Sequence, residues 1–233
     1  MPQRFAVDQR AVISINTDTV TQLDSASSHM ELTFSELPVT DGVNGTVDTV
    51  LVGGAGRAPA TPAGLSTPFP FHAAFAVPQA QLEFTAPLDS TPCSSVALAA
   101  AQSLRDLWFL PPDTLRDGST WSDSSSFVSC RDGIPLRATI HRMFHVSGAA
   151  VRDGHTVLAI SRLSRTLLSG QGLQFGDSVA VAGSGNGQLT YQFDPVSGEV
   201  MSATGNATLD FSLRSSRRTQ IVRQSAEIRI GRR

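Results

Sequence analysis

Phe175-Gly176-Asp177-Ser178 sets a hydroxyl beside a carboxylate late in a chain of 233 residues, and those types at that spacing belong to acyl transfer. Such chemistry needs a base within hydrogen-bond reach of the hydroxyl and donors for the oxyanion. No histidine follows Ser178 in the chain. A nucleophile lacking those partners is inert, so no residue is assigned a catalytic role, and a serine hydrolase using Ser178 stands as a remote alternative. His141, Met143 and His145 alternate along one run and could hold a soft metal such as copper. Residues two apart on a strand lie about 7 Å apart, but His141 and His145 are separated by about 13 Å and cannot share an ion. They read as a solvated face, and neither metal nor cofactor is expected. Asp117, Asp123 and Asp132 fall in expected loops and show no glycosidase pairing. Cys93 and Cys130 lack the three or four ligands of a metal site. They are read as a disulfide, which would restrict the unfolded chain by roughly 4 kcal/mol and requires an oxidising compartment. The alternative is two buried thiols. All 18 positive charges are arginine, which excludes Schiff-base chemistry and a phosphate-loop lysine. Gly53-Gly54-Ala55-Gly56 follows a strand, yet Pro59, Pro62 and Gly64 argue against the helix a dinucleotide site requires.

The Gly-Asp-Ser block resembles the nucleophile segment of two hydrolase families. In the lipases that begin with Gly-Asp-Ser-Leu the block lies near the N-terminus and an Asp-x-x-His follows; here neither holds. In chymotrypsin-like proteases two glycines follow the serine, where this chain has Val179-Ala180, and neither His29 nor His72 sits in an Ala-Ala-His-Cys setting. A second resemblance starts at Leu110-Pro111, runs through Leu115 and Gly118, and ends at Trp121 opening a strand. It is similar to a Leu-Pro…Gly-x-x-Trp element of uncharacterised bacterial envelope proteins, which resemble the lipoprotein carriers LolA and LolB in architecture. The resemblance implies an exported, non-catalytic protein whose concave sheet face holds an apolar ligand. It carries over no ligand residues.

The elements around these groups are mostly strands. Ala11, Ile13 and Ile15 share one face of the first, Met30, Leu32 and Phe34 mark a second, and Asn44-Gly45 reads as a turn before Thr46–Val52. Phe69, Phe71 and Phe75, with Phe84 on a return strand, gather four of the 12 phenylalanines, as core wall or as pocket lining. Thr91 and Pro92 can start a helix, and Val96, Ala100, Leu104, Leu107 and Trp108 recur at helical spacing until Leu110-Pro111-Pro112 stops it. From Trp121 onward a meander follows: Leu136, Ala138, Ile140, Phe144 and Val146 share a face broken only by Arg142, and Gly183-Ser184-Gly185-Asn186-Gly187 is expected to turn one strand onto the next. The expected fold is mainly β, one large curved antiparallel sheet or partial β-barrel with one helix packed on it. A single domain spans 1–233, with N-terminal strands over 1–90, helix and strap over 91–118, and a meander over 119–233. Phe69, Phe71, Phe75, Phe84, Trp108 and Trp121 are the expected ligand-binding residues.

Composition narrows the class further. At 40% hydrophobic content and net charge −2 the chain is neither disordered nor a general nucleic-acid binder. Residues 1–100 hold three Arg against nine Asp and Glu, whereas 214–233 hold seven Arg against Glu227 alone. The expected outcome is that acidic front and basic tail pair as neighbouring strands; an anionic partner at the tail is the other reading. No apolar run is long enough for a helical span, and Met1-Pro2-Gln3-Arg4-Phe5 is not a leader, so an export signal or lipid anchor would precede this sequence. The expectation is an extracytoplasmic carrier of an apolar small molecule or lipid, with peripheral or lipid-anchored membrane association; a structural envelope protein with a filled core is the alternative.

Overall fold

In the computed structural model, residues 3–17, 20–34, 43–54, 56–76, 81–85, 100, 104–109, 111, 114–131, 133–152, 155–174 and 176–233 are described. Alternating apolar residues build β1 (Gln3–Asn16), β2 (Thr21–Phe34), β3 (Val43–Gly54), β4 (Arg57–Ala60), β5 (Phe69–Ala76) and β6 (Gln81–Thr85). The second half supplies β7 (Thr120–Arg131), β8 (Ile134–Arg152), β9 (His155–Gln174), β10 (Asp177–Asp194), β11 (Glu199–Arg214) and β12 (Thr219–Arg232). All belong to one sheet ordered β2-β1-β12-β11-β10-β9-β8-β7-β6-β5-β3-β4, and β2 also pairs with β3. Every pairing is antiparallel except β6 with β7.

Closure is confined to one end. Strand β2 meets β3 from Ala26 to Phe34, and β6 meets β7 only at Ser124 and Ser125. Beyond those pairs, residues 21–25 of β2 and 126–131 of β7 have one described neighbour strand each. The sheet is thus a barrel at one end and an open, curved trough at the other.

Side chains sort by the pleat, apolar inward and polar outward. Register sets Asp8 opposite Arg229, Arg10 opposite Glu227, and Asp210 opposite Arg223 on the outer wall. Arg233 Nη1 reaches Glu31 at 2.6 Å and Arg232 reaches Glu199 at 2.9 Å. The acidic front and basic tail do pair as neighbouring strands.

Several local expectations are corrected. The helix over 92–108 lies largely outside the described residues; the helical element that can be described is a 3-10 turn, Arg105–Leu107, and no helix is packed on the sheet among the described residues. Gly183 to Gly187 form no turn, since β10 runs straight through them. They are needed as glycines because strands cross closely there: a Cβ on Gly185 would meet Thr208 O at 2.2 Å, and one on Gly187 would meet Ser164 Oγ at 2.7 Å. Asn44-Gly45 lies inside β3, where a Cβ on Gly45 would stand 2.6 Å from the Phe71 ring. Asp123 belongs to β7, not to a loop. Gly53-Gly54 ends β3 and Arg57 begins β4, with no helix between.

Candidate functional site

Inward residues stack in layers that follow the cross-strand register. Toward the closed end, Val50, Met30, Val7, Ile230, Ala203, Tyr191, Ile160 and Val146 form one continuous apolar layer around the wall. The chain segment Leu104 to Phe109 fills the space inside it, all of its apolar members buried. Phe109 packs against Phe144 at 5.2 Å, Tyr191 at 5.3 Å, Phe193 at 5.4 Å and Trp121 at 5.7 Å between ring centroids. Trp108 meets Phe34 at 5.3 Å and Phe71 at 5.6 Å. Edge-to-face and tilted pairs at such distances each add about 1 kcal/mol beyond burial.

Below this aromatic plug the lumen turns polar. Arg142, fully buried, donates from Nε to Asp123 Oδ1 at 2.5 Å and from Nη2 to Asp123 Oδ2 at 2.7 Å, a bidentate pair. Its Nη1 donates to the Arg105 carbonyl at 2.8 Å, which fastens the plug's backbone to the wall. Arg162, also buried, bonds Asp106 of the plug. Burial raises the Asp106 carboxyl's pKa, but the charges of Arg162, Arg105 and Arg142 outweigh it and hold the group below its usual range. Burial alone would lower Arg162, and the Asp106 charge lifts it instead. Arg105 is pushed below its ordinary value, chiefly by burial. Tyr191 is pushed up to about 12, again chiefly by burial. Breaking one partner from such a pair leaves an uncompensated charge in low dielectric, which is why the layer clamps the plug.

The far side of the charged layer is hollow. A cavity of about 380 Å³ is lined by Phe127, Leu136, Ala138, Ile140, Leu168 and Phe211 along the walls, with Gln9, Thr166 and Gln224 among them. Arg105 forms part of the lining, its guanidinium 4.8 Å from the Phe127 ring centre. Small residues run along one row of the register, where Ala26, Ala11, Ala226 and Ala207 are successive partners, followed by Gly187 and Ser164, and of these Ala207 and Ala226 border the cavity. Nearer the mouth, Ile134, Val179, Val181, Leu213 and Val222 form a second apolar cluster. A larger concavity of about 1010 Å³ lies on the outer wall over β1, β2, β11 and β12, where Arg10, Ser25, Thr204 and Glu227 face solvent.

The expected ligand residues fall in the other half. Phe69, Phe71 and Trp108 are buried within the packed aromatic cluster, and Trp121 stacks on Phe144 at 5.0 Å. The side chains of Phe75 and Phe84 lie outside the described residues, although both backbones pair in β5–β6. Together the described four close the barrel end and do not border the 380 Å³ cavity. Cys93 lies outside the described residues, and no free cysteine occurs among them; Cys130 sits near the end of β7, beside the cavity. His141, Met143 and His145 project from the outer face of β8, exposed. Ser178 is exposed on the outer face of β10, and its neighbour Asp177 pairs with Arg217 at 3.4 Å. His29 bonds Asp8 and His72 bonds Asn44, so neither imidazole serves that serine. Arg142, Asp123, Arg162 and Asp106 were missed as a group, although one signal was visible: a charge interrupting the apolar face of β8.

The fold and site define a class, an antiparallel barrel plugged and packed at one end and hollow at the other. No family model matches the chain, and no curated protein matches it. Among solved structures it is similar to a DUF1329 family protein from Desulfovibrio piger, at 8% identity over 94% of this chain and 83% of that one, with a TM-score of 0.16. It is also similar to a multiply substituted Rh. blastica porin, at 9% identity over 98% and 99% of the two chains, with a TM-score of 0.25. Superpositions this loose carry no argument about function. No described helix is long and apolar enough to cross a membrane. The outer wall, which places Arg10, Arg223, Arg229, Asp210 and Glu227 toward solvent, is unlike the apolar outer band of a membrane barrel.

Proposed function

We propose that this chain is a non-catalytic binding or carrier protein whose hollow end takes up an apolar small molecule or a lipid chain. The observation that supports it is the cavity of about 380 Å³ between the charged layer and the trough mouth, bordered mainly by aliphatic and aromatic side chains. Small-molecule sites commonly occupy about 300–1,000 Å³ and combine an apolar lining with a few polar groups. The aromatic residues expected to bind ligand then serve as the fixed wall behind the site. An extracytoplasmic setting in the cell envelope belongs to the same proposal. A Cys93–Cys130 disulfide would tie the segment before the plug to the trough edge, and the absence of a free thiol among the described residues supports it.

A structural or partner-binding envelope protein with a filled core is the second reading, favoured by the packing around Phe109. Titration with the apolar dye N-phenyl-1-naphthylamine separates the two. The carrier reading expects saturable fluorescence with one site per chain, abolished by Ala207→Phe, which fills the cavity. No uptake by the unmodified protein leaves the filled-core reading.

A further inference from the structure

The inward-facing rows of the wall change character between plug and mouth. One register row runs Ser125, Ile140, Thr166, Gly185, Leu209 and Gln224, so three hydrogen-bonding side chains share a level of the lumen. The next row toward the mouth, from Phe127 through Ala138 and Leu168 to Phe211 and Val222, carries no polar side chain. Thr166 and Gln224 line the cavity, as do Phe127, Ala138, Leu168 and Phe211 of the apolar row. Ser125 is 2% exposed and its hydroxyl has no partner, and neither Thr166 nor Gln224 makes a side-chain hydrogen bond among the described residues. Hydroxyls and carboxamides enclosed in that state are costly, and a ligand group that both donates and accepts would satisfy them. The charged layer behind this row is closed on itself. Arg142 is held by Asp123 and Arg162 by Asp106. Arg105 feels the Asp106 charge, stands 4.8 Å from the Phe127 ring centre and has a further interaction within the chain. A charged head pressed against that layer would lose its water and meet counter-charges already engaged, whereas a neutral head gives up far less.

We infer that the preferred ligand is a single-chain amphiphile with an uncharged head that both donates and accepts hydrogen bonds, such as a long-chain alcohol or amide. Its head meets Thr166 and Gln224, and its chain runs along Ala138, Leu168 and Phe211 toward the mouth. This rests on the carrier reading and specifies its substrate class. At about 30 Å³ for each water-sized group, the cavity holds roughly a dozen methylene-sized groups. The test compares octanol, 1-chlorooctane, octanoate and octyltrimethylammonium by displacement of the bound dye. Octanol should bind more tightly than either charged compound. Thr166→Val combined with Gln224→Leu should weaken octanol about fivefold, the scale of one hydrogen bond between neutral partners. The same variant should leave the dye and 1-chlorooctane bound as before, a separation that a general disturbance of the wall would not produce. Tighter binding of octanoate or of the cation than of octanol, or an equal loss of octanol and 1-chlorooctane in the variant, overturns the inference and leaves the carrier reading standing. Binding of neither the dye nor any of the four compounds overturns the carrier reading itself. If the double variant does not fold, the near-isosteric Thr166→Val alone decides by the same comparison of octanol with 1-chlorooctane.

Discussion

The two ends of the lumen are walled by the same long strands yet use opposite side-chain economies. At the closed end Phe144, Tyr191 and Phe193 reach across to Phe109, and the rings pack against one another. Four to eight residues farther along these strands, Ile140, Gly187 and Gly185 leave space, and that end is hollow. Strand pairing therefore sets the wall, while side-chain size along each strand decides whether the interior is core or chamber. Between the halves sits a polar layer too costly for a mere spacer unless each charge is held, and it holds the plug.

That contrast can be broken most forcefully at the layer itself. Asp123→Ala strands the fully buried Arg142 guanidinium, and a loss of about 3–5 kcal/mol is expected, read as a lowered urea midpoint. A loss under about 1 kcal/mol would mean the layer is hydrated and not a clamp. Next in size is the paired truncation Phe109→Ala and Leu168→Ala. The first opens a void in packed rings and should cost about 3–5 kcal/mol; the second enlarges an existing hollow and should cost about 2, at the low end for such changes. Equal costs would erase the distinction between the ends.

The chain's single tyrosine gives a spectroscopic test. Tyr191 should ionise near pH 12 in the folded protein, followed by absorbance at 295 nm, because burial disfavours its phenolate. The sign follows from linkage. With the folded pKa raised above an unfolded value near 10, the stability is intact below about pH 10 and declines as pH rises toward 12, by about 3 kcal/mol in all. Asp106 behaves oppositely: its depressed carboxyl stabilises the fold above its unfolded value near 3.8, and that contribution is lost as pH falls through the lower folded value. Titration of Tyr191 near 10 in a folded sample would place water in the closed end. The smallest effect is expected on the outer wall, where Glu227→Gln touches only an exposed pair with Arg229 at 4.0 Å and should shift stability by less than about 0.5 kcal/mol.

Much of the wall was legible in the sequence, because alternation such as Leu136, Ala138, Ile140 in β8 reports a half-buried strand directly. The glycines of β10 misled for a physical reason: in isolation Gly-x-Gly-x-Gly reads as a turn, and only the approach of β9 and β11 shows that it is space for close strand crossing. The site was harder. Arg142 was visible as a break in an apolar face, but its partner Asp123 is 19 residues away on a neighbouring strand and the clamped Asp106 belongs to the plug. Aromatic residues drew the ligand expectation because pockets and cores share composition, and the chamber is lined by Leu136, Ala138, Ile140, Leu168 and Phe211, which a packed core would equally hold.

A crystal soaked with 12-bromododecanoate addresses the division of the lumen most directly. One anomalous bromine peak within the trough, among residues such as Leu136, Leu168, Val181 and Phe211, is the expected result. No peak in the lumen, or a peak among Phe34, Phe71 and Trp108 in the closed end, would contradict it.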